Sequence, residues 1–272
     1  MEDQLFALRL GAGRKVEVIE DVNVKSVMPR LAVIIPALNE EEALPKVLAD
    51  IPASLQADVI VVDNGSSDDT VKAAIRGGAR VVVELERGYG AACLRGMTAL
   101  HNPEIVVFLD GDYSDFPEEM TELIAPIIAG QADMVIGSRI IGRREKGALP
   151  PHSLFGNWLA SRLLLVLYGQ RSTDLGPFRA IRFDCLRALE MQDRKFGWTV
   201  EMQIKAAQRR MRVVEIPVRY RRRIGTSKIT GSLTASIQAG TIILATLFRY
   251  ALPFRTRKAP FPTKSEPEIG DQ

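Results

Sequence analysis

The sequence predicts an α/β protein: a mostly parallel sheet flanked by helices, followed by C-terminal amphipathic helices. Three observations predict it. Short β-branched apolar runs recur at intervals of 22 to 29 residues from Leu31 onward. They are nearly continuous rather than alternating, as strands covered on both faces are. Segments with helical patterning separate them, which is the signature of successive βαβ units.

In chain order, residues 1–29 read as an N-terminal extension with a short strand at 16–19. Strands follow at 31–35, 59–62, 81–85, 105–109 and 134–136, with helices at 40–50, 69–76, 89–100 and 117–129 between and after them. Ser67-Asp68-Asp69 and Pro117-Glu118-Glu119 are helix starts, with anionic side chains where the helix dipole is positive. Gly77-Gly78 and Gly130 are helix stops. The second half predicts helices at 157–168, 184–190, 199–210 and 233–250. It also predicts a strand at 213–220, where Pro217 implies either a sheet-edge position or an irregularity. The expected boundaries are a catalytic domain over 30–230, an amphipathic helix over 231–252 and a disordered tail over 253–272, rich in proline and charge.

Composition narrows the function. With 272 residues, 46% apolar and 25% charged, the chain is globular, and its net charge of +3 excludes an acidic tail protein. That small charge, without interleaved aromatics, also argues against nucleic acid as a partner. Two cysteines (Cys93, Cys185) and two histidines (His101, His152) exclude a disulfide scaffold and a Cys- or His-rich metal site. Any metal must therefore sit on carboxylates, which favours Mg²⁺ or Mn²⁺. Glu2, Asp3 and Arg9 with no apolar stretch behind them are unlike a secretion signal, so a cytoplasmic location is expected. The segment 233–252 is interrupted by Gln238 and Arg249 and suits a membrane surface better than a span.

In an open parallel sheet, ligands bind beyond the carboxyl ends of the strands. Four predicted strands end in polar groups: Pro36-Ala37-Leu38-Asn39-Glu40, Asp63-Asn64-Gly65-Ser66-Ser67-Asp68, Asp110-Gly111-Asp112 and Gly137-Ser138-Arg139. Two carboxylates separated by a glycine can share one divalent ion. Each group also has a plainer reading. Asp-x-Asp suits a turn, Asp63 an Asx-turn, and Asn39 a helix cap.

Together with Arg87-Gly88-Tyr89-Gly90, these motifs resemble family 2 glycosyltransferases of the GT-A (Rossmann-like) fold. Within that family they resemble dolichyl- and polyprenyl-phosphate mannose or glucose synthases. The resemblance implies an inverting hexosyl transfer from a UDP- or GDP-linked sugar, aided by Mg²⁺ or Mn²⁺, to a polyprenyl phosphate. It implies that Pro36, Asn39, Glu40 and Asp63 line the nucleoside pocket and that Gly88 and Gly90 let the donor approach the backbone. Asp110 would contact ribose and metal, and Asp112 the metal. Ser114 stands where those synthases commonly have a metal-binding glutamine, which leaves the third protein ligand open among Ser114, Asp115 and water.

The second half is implied to bind the acceptor. Arg139 would meet its phosphate. Arg222 and Lys228, in an Arg-x-x-Gly-x-Ser-Lys loop, would cover the diphosphate. Strand alternation would send Arg219, Arg221 and Arg223 to one face and Arg222 to the other. Glu201 is the expected base if the acceptor is a hydroxyl, since a hydroxyl must lose a proton on attack. A soluble hydroxyl or glycan acceptor, a nucleotidyltransferase and a non-catalytic sugar-nucleotide binding module are the rival readings. The apolar helices 157–168 and 233–250 imply peripheral attachment to the inner face of the cytoplasmic membrane, and also leave room for a homo-oligomer.

Overall fold

The computed structural model describes residues 29–225 and 233–251. The strand expected at 16–19, the tail at 253–272 and Lys228 lie outside the described residues.

Seven strands form one sheet: β1 (Leu31–Ala37), β2 (Asp58–Asp63), β3 (Arg80–Val83), β4 (Ile105–Phe108), β5 (Met134–Ser138), β6 (Arg179–Arg182) and β7 (Val213–Pro217). Their order is β3-β2-β1-β4-β6-β5-β7. β1 pairs in parallel with β2 and β4, and β2 with β3. β6 runs antiparallel between β4 and β5, while β5 and β7 are parallel. β7 is an edge strand and ends at Pro217, where the missing N–H costs no ladder bond.

The helices are α1 (Leu44–Asp50), α2 (Thr70–Arg76), α3 (Tyr89–Thr98), α4 (Met120–Ile128), α5 (Pro151–Tyr168), α6 (Phe183–Leu189), α7 (Trp198–Gln208) and α8 (Leu233–Ala251). Alternation along the central strands assigns them to faces. Leu31, Val33 and Ile35 pack with α1, α2 and α4, while Ile34, Val106 and Phe108 pack with α3, α6 and α7. Both faces are therefore covered, which is why the strands read as unbroken apolar runs. A third cluster joins α5, α7 and α8 through Leu164, Val200, Ile204 and Leu247.

Three expectations change. β6 is a strand where only a loop was foreseen. α5 starts at Pro151, six residues earlier than the pattern 157–168, because a proline suits the first helical turn. α1 begins at Leu44 rather than at residue 40, and Asn39 does not cap it.

Candidate active site

The site is built on strand ends. The β1–β2 register carries Ala37 opposite Asp63, and Asn64 N–H then donates to Ala37 O at 2.9 Å. The loops beyond are tied together: Asn39 Oδ1 accepts from Ser67 N (2.8 Å), and Glu40 N donates to Thr70 Oγ1 (2.8 Å). Asn64 spans the next gap, donating to Glu84 O and Glu86 O and accepting from Gly88 N at 2.8 Å.

Beyond β4 the chain turns through Asp110-Gly111-Asp112, with Tyr113 at φ 62°. Asp112 is buried. Its Oδ1 accepts from Ser114 N (2.9 Å) and from the Ser114 hydroxyl, while its Oδ2 meets the Arg223 guanidinium. Asp110 Oδ1 is shielded from solvent without a hydrogen-bond partner among the described residues. Burial, and then the charge of Asp112, push the Asp110 carboxyl upward, opposed by Arg223 and Arg139.

Arg139, just past β5, is held by a bidentate pair. Asp174 Oδ2 accepts from Arg139 N and Nε, and Oδ1 from Nη2, all at 2.8 Å, with the Asp174 side chain fully buried. Glu215 fixes the loop carrying Asp174 by accepting from Ser172 Oγ (2.8 Å) and Thr173 N (2.9 Å). Arg139 also lies over the Tyr220 ring, 5.0 Å from its centroid.

Two cavities meet here. One, of about 480 Å³, follows the strand ends and is lined by Pro36, Glu40, Asn64, Arg87 and Gly88. The other, of about 330 Å³, lies between α5, α8 and the Arg139 loop, and is lined by Leu149, Leu159, Leu175, Ile243 and Leu244 with Arg139. Tyr89, Asp110, Asp112, Phe196 and Arg223 border both.

The sequence matches the model of glycosyl transferase family 2 over residues 32–189, more than half of the chain. The chain belongs to glycosyl transferase family 2. Among its relatives, an uncharacterized glycosyltransferase of Mycobacterium tuberculosis is 40% identical over 77% of this chain and 94% of its own length. A dolichyl-phosphate hexose transferase of Haloferax volcanii is 35% identical (73% and 86% covered). An undecaprenyl-phosphate mannosyltransferase of Micrococcus luteus is 30% identical (75% and 89%). Among solved structures, glucosyl-3-phosphoglycerate synthase from M. tuberculosis with Mn²⁺, UDP and phosphoglyceric acid superposes with a TM-score of 0.67. It has 23% identity and covers 82% of this chain and 78% of that one, a likeness of fold. This glycosyltransferase thus has the GT-A architecture.

Its residues suit a divalent ion. Asp110 supplies a buried oxygen without a partner among the described residues, and Asp112 Oδ2 already carries a cation, the Arg223 guanidinium. The donor set is all oxygen, as Mg²⁺ or Mn²⁺ prefers. Among the described residues no three His, Cys, Asp or Glu side chains converge. Ser114 spends its hydroxyl on Asp112 Oδ1 and so fixes the orientation of that carboxylate.

The remaining expected residues divide. Pro36, Glu40, Gly88 and Asp110 line the strand-end cavity. Asp63, expected at the nucleoside, accepts from Gly65 N and Ser66 N and closes its own turn; Asn64 faces the cavity in its place. Asn39 ties the two strand-end loops together and does not border either cavity. Gly90 makes room for protein backbone: a Cβ there would lie 2.0 Å from Asp193 O. Arg222 turns away, donating to Lys146 O (2.7 Å), and Arg223 stands at the cavities.

Glu201 is a correction. It is fully buried, pairs with Lys205 (2.8 Å), and accepts from Asp193 N (2.7 Å) and Tyr250 Oη (2.7 Å). It borders neither cavity, so it is not placed to take a proton from an acceptor. Asn64, Phe196 and Arg223 carried no strong sequence signal. The alternation of the basic run put Arg223 on the face opposite Arg222 but did not single it out.

Proposed function

We propose that this enzyme transfers a hexose, with inversion, from a nucleoside diphosphate sugar to a polyprenyl phosphate, with a divalent cation. The observation that carries this reading is the pair of cavities joined at Asp110, Asp112 and Arg223: the strand-end one carries Glu40, Asn64, Arg87 and Lys195 in its lining, and the other, between α5 and α8, has a mainly apolar lining that includes Leu149, Leu159, Leu175, Ile243 and Leu244. The strand-end cavity suits the donor. The apolar cavity suits a prenyl chain whose phosphate sits at Arg139, held in place by Asp174. Among its described lining residues, the only carboxylates are Asp110 and Asp112. A phosphate oxygen is already anionic and needs no base, whereas a hydroxyl does. The names of the relatives that act on undecaprenyl phosphate and dolichyl phosphate support the same choice.

The phosphate oxygen attacks the anomeric carbon from the apolar side. The bond to the donor diphosphate breaks, and its electron pair leaves with the nucleoside diphosphate. Asp110 and Asp112 would hold the Mg²⁺ or Mn²⁺, which neutralises charge on that leaving group. Phe196, which borders both cavities, keeps water from competing at the junction. No helix of the described residues is long and apolar enough to cross a membrane. The exposed apolar side chains of α5, Phe155, Trp158, Leu165 and Val166, support docking on a membrane surface.

The test is transfer from UDP-glucose and GDP-mannose, with Mn²⁺, to undecaprenyl phosphate and to 3-phosphoglycerate. Nucleoside diphosphate release that depends on the lipid phosphate, and that D112A abolishes, is expected. Turnover confined to 3-phosphoglycerate would establish the soluble-acceptor reading, which the neighbouring synthase's name suggests. Pyrophosphate release would establish a nucleotidyltransferase. Donor binding without turnover would mark a binding module.

A further inference from the structure

Asp112 has one oxygen to spare, and a cation of the protein's own already holds it. Ser114 occupies Oδ1 with both its N–H and its hydroxyl, and Oδ2 meets Arg223 Nη2. The same Nη2 is 4.0 Å from Glu40 Oε1. The pair is shielded, with side-chain exposures of 5% for Asp112 and 29% for Arg223. Yet the guanidinium is incompletely satisfied, because Arg223 Nε is buried without a hydrogen-bond partner among the described residues. The backbone around it is anchored independently of that side chain. Arg221 N donates to Ser114 O (2.9 Å), and Ile224 N donates to Asp112 O (3.0 Å). Arg221 is packed over the Tyr113 and Phe116 rings and donates to Tyr113 O at 2.7 Å. A long, flexible side chain on a fixed backbone can move while its segment stays in place.

We infer that Arg223 is an exchangeable counter-ion of Asp112: its guanidinium and a divalent cation compete for Asp112 Oδ2. This deepens the metal-dependent transfer proposed above and rests on it. Two cations on that one oxygen repel each other in a shielded site, which sets the guanidinium and the divalent ion in competition for it. When the divalent ion takes Oδ2, Arg223 is released at the border of both cavities. There it pairs with phosphate oxygens, as a guanidinium prefers. Cation loading is thereby linked to the arrival of an anionic ligand: the ion binds weakly alone, because it must displace Arg223, and more tightly once a diphosphate offers Arg223 a new partner.

Mn²⁺ titration followed by electron paramagnetic resonance of the free ion tests this without turnover. The proteins are the wild type, R223Q, R223K and D112N, with no nucleotide present. R223Q should bind Mn²⁺ about fivefold or more tightly than the wild type, the range of one partly buried charge pair. R223K keeps the competing cation without its planar fork, so it should fall between them. Equal or weaker Mn²⁺ binding by R223Q, with D112N abolishing it, would overturn the inference and leave the transfer reading standing. Equal binding by the wild type and D112N would remove the metal-centred reading, and this inference with it. Should R223Q not fold without the ion, R223K against the wild type decides. Tighter binding by R223K supports competition, and equal binding refutes it.

Discussion

Glu201 shows how one side chain's surroundings decide its role. Burial alone would raise its carboxyl, but hydrogen bonds from Lys205, Tyr250 and the Asp193 N–H, with the Lys205 charge, hold it below the usual range. A carboxyl lowered by folding contributes stability above its unfolded pKa, and that contribution fades as the pH falls through the folded value. E201Q should therefore destabilise the fold by about 3 kcal/mol near neutral pH, since it strands Lys205. It should also flatten the acid side of the stability profile, which urea titration between pH 3 and 7 would show. Transfer per folded molecule should stay near the wild type. A collapse of turnover with unchanged stability would restore Glu201 as a base. Asp174 makes the opposite case, a residue that acts through another. D174N keeps the volume but loses the charge that orients Arg139. It should raise the KM for the phosphate acceptor about tenfold or more and leave the donor KM nearly unchanged. An equal rise in both would contradict a role confined to the acceptor side.

At the scale of elements, the glycines ahead of α3 matter for what packs on them. A Cβ at Gly90 would meet Asp193 O at 2.0 Å, and one at Gly88, where φ is 158°, would meet Arg194 O at 2.1 Å. Gly90 N and Ala91 N donate to Lys195 O (3.1 Å) and Arg194 O (3.0 Å), so residues 193–195 seal the start of α3. Lys195 and Phe196 then form one wall of the strand-end cavity. G90A should push this segment outward, weakening UDP or GDP binding about tenfold by calorimetry while the far-ultraviolet circular dichroism changes little. Unchanged nucleotide affinity would mean that the wall is unimportant to the donor.

This packing was not readable in the sequence, because nothing local in Arg194-Lys195-Phe196 names a partner more than a hundred residues away. The parallel half was readable: β1, β2, β4 and β5 are buried on both faces, so their residues are apolar throughout. β6 was hidden because Arg-Ala-Ile-Arg is a poor strand pattern. Arg179 is nevertheless fully buried, donating to Gly176 O, Leu175 O and Thr199 O, and burial lowers it to about 10. The basic segment gives a finer lesson. Arg219, Arg221 and Arg223 all reach the acidic loop at residues 112–119, and Arg222 reaches Lys146, as a period of two requires. There the alternation separated Arg222 from Arg223 without saying which of the two borders the cavities.

At the scale of the molecule, α5 separates two environments. Leu159 and Ala160 face the apolar cavity, while Phe155, Trp158, Arg162, Leu165 and Val166 form one exposed stripe at helical spacing. The Phe155 and Trp158 rings lie 5.9 Å apart, and Phe248 on α8 is also exposed. A water-facing stripe of this kind, carrying one arginine, matches a helix lying in the headgroup region, which would bring a prenyl phosphate directly to the cavity. Trp158 supplies the readout. The chain has two tryptophans, and Trp198 is 1% exposed against 53% for Trp158. Added anionic vesicles of phosphatidylglycerol should therefore shift the emission to the blue through Trp158 alone. F155S with V166S, which keeps the reporter, should weaken vesicle binding about tenfold, the worth of two partly buried apolar side chains. Sedimentation of a dimer, with emission already blue-shifted and indifferent to vesicles, would instead assign the stripe to a second copy of the chain. The lipid phosphate would then have to reach Arg139 by another route.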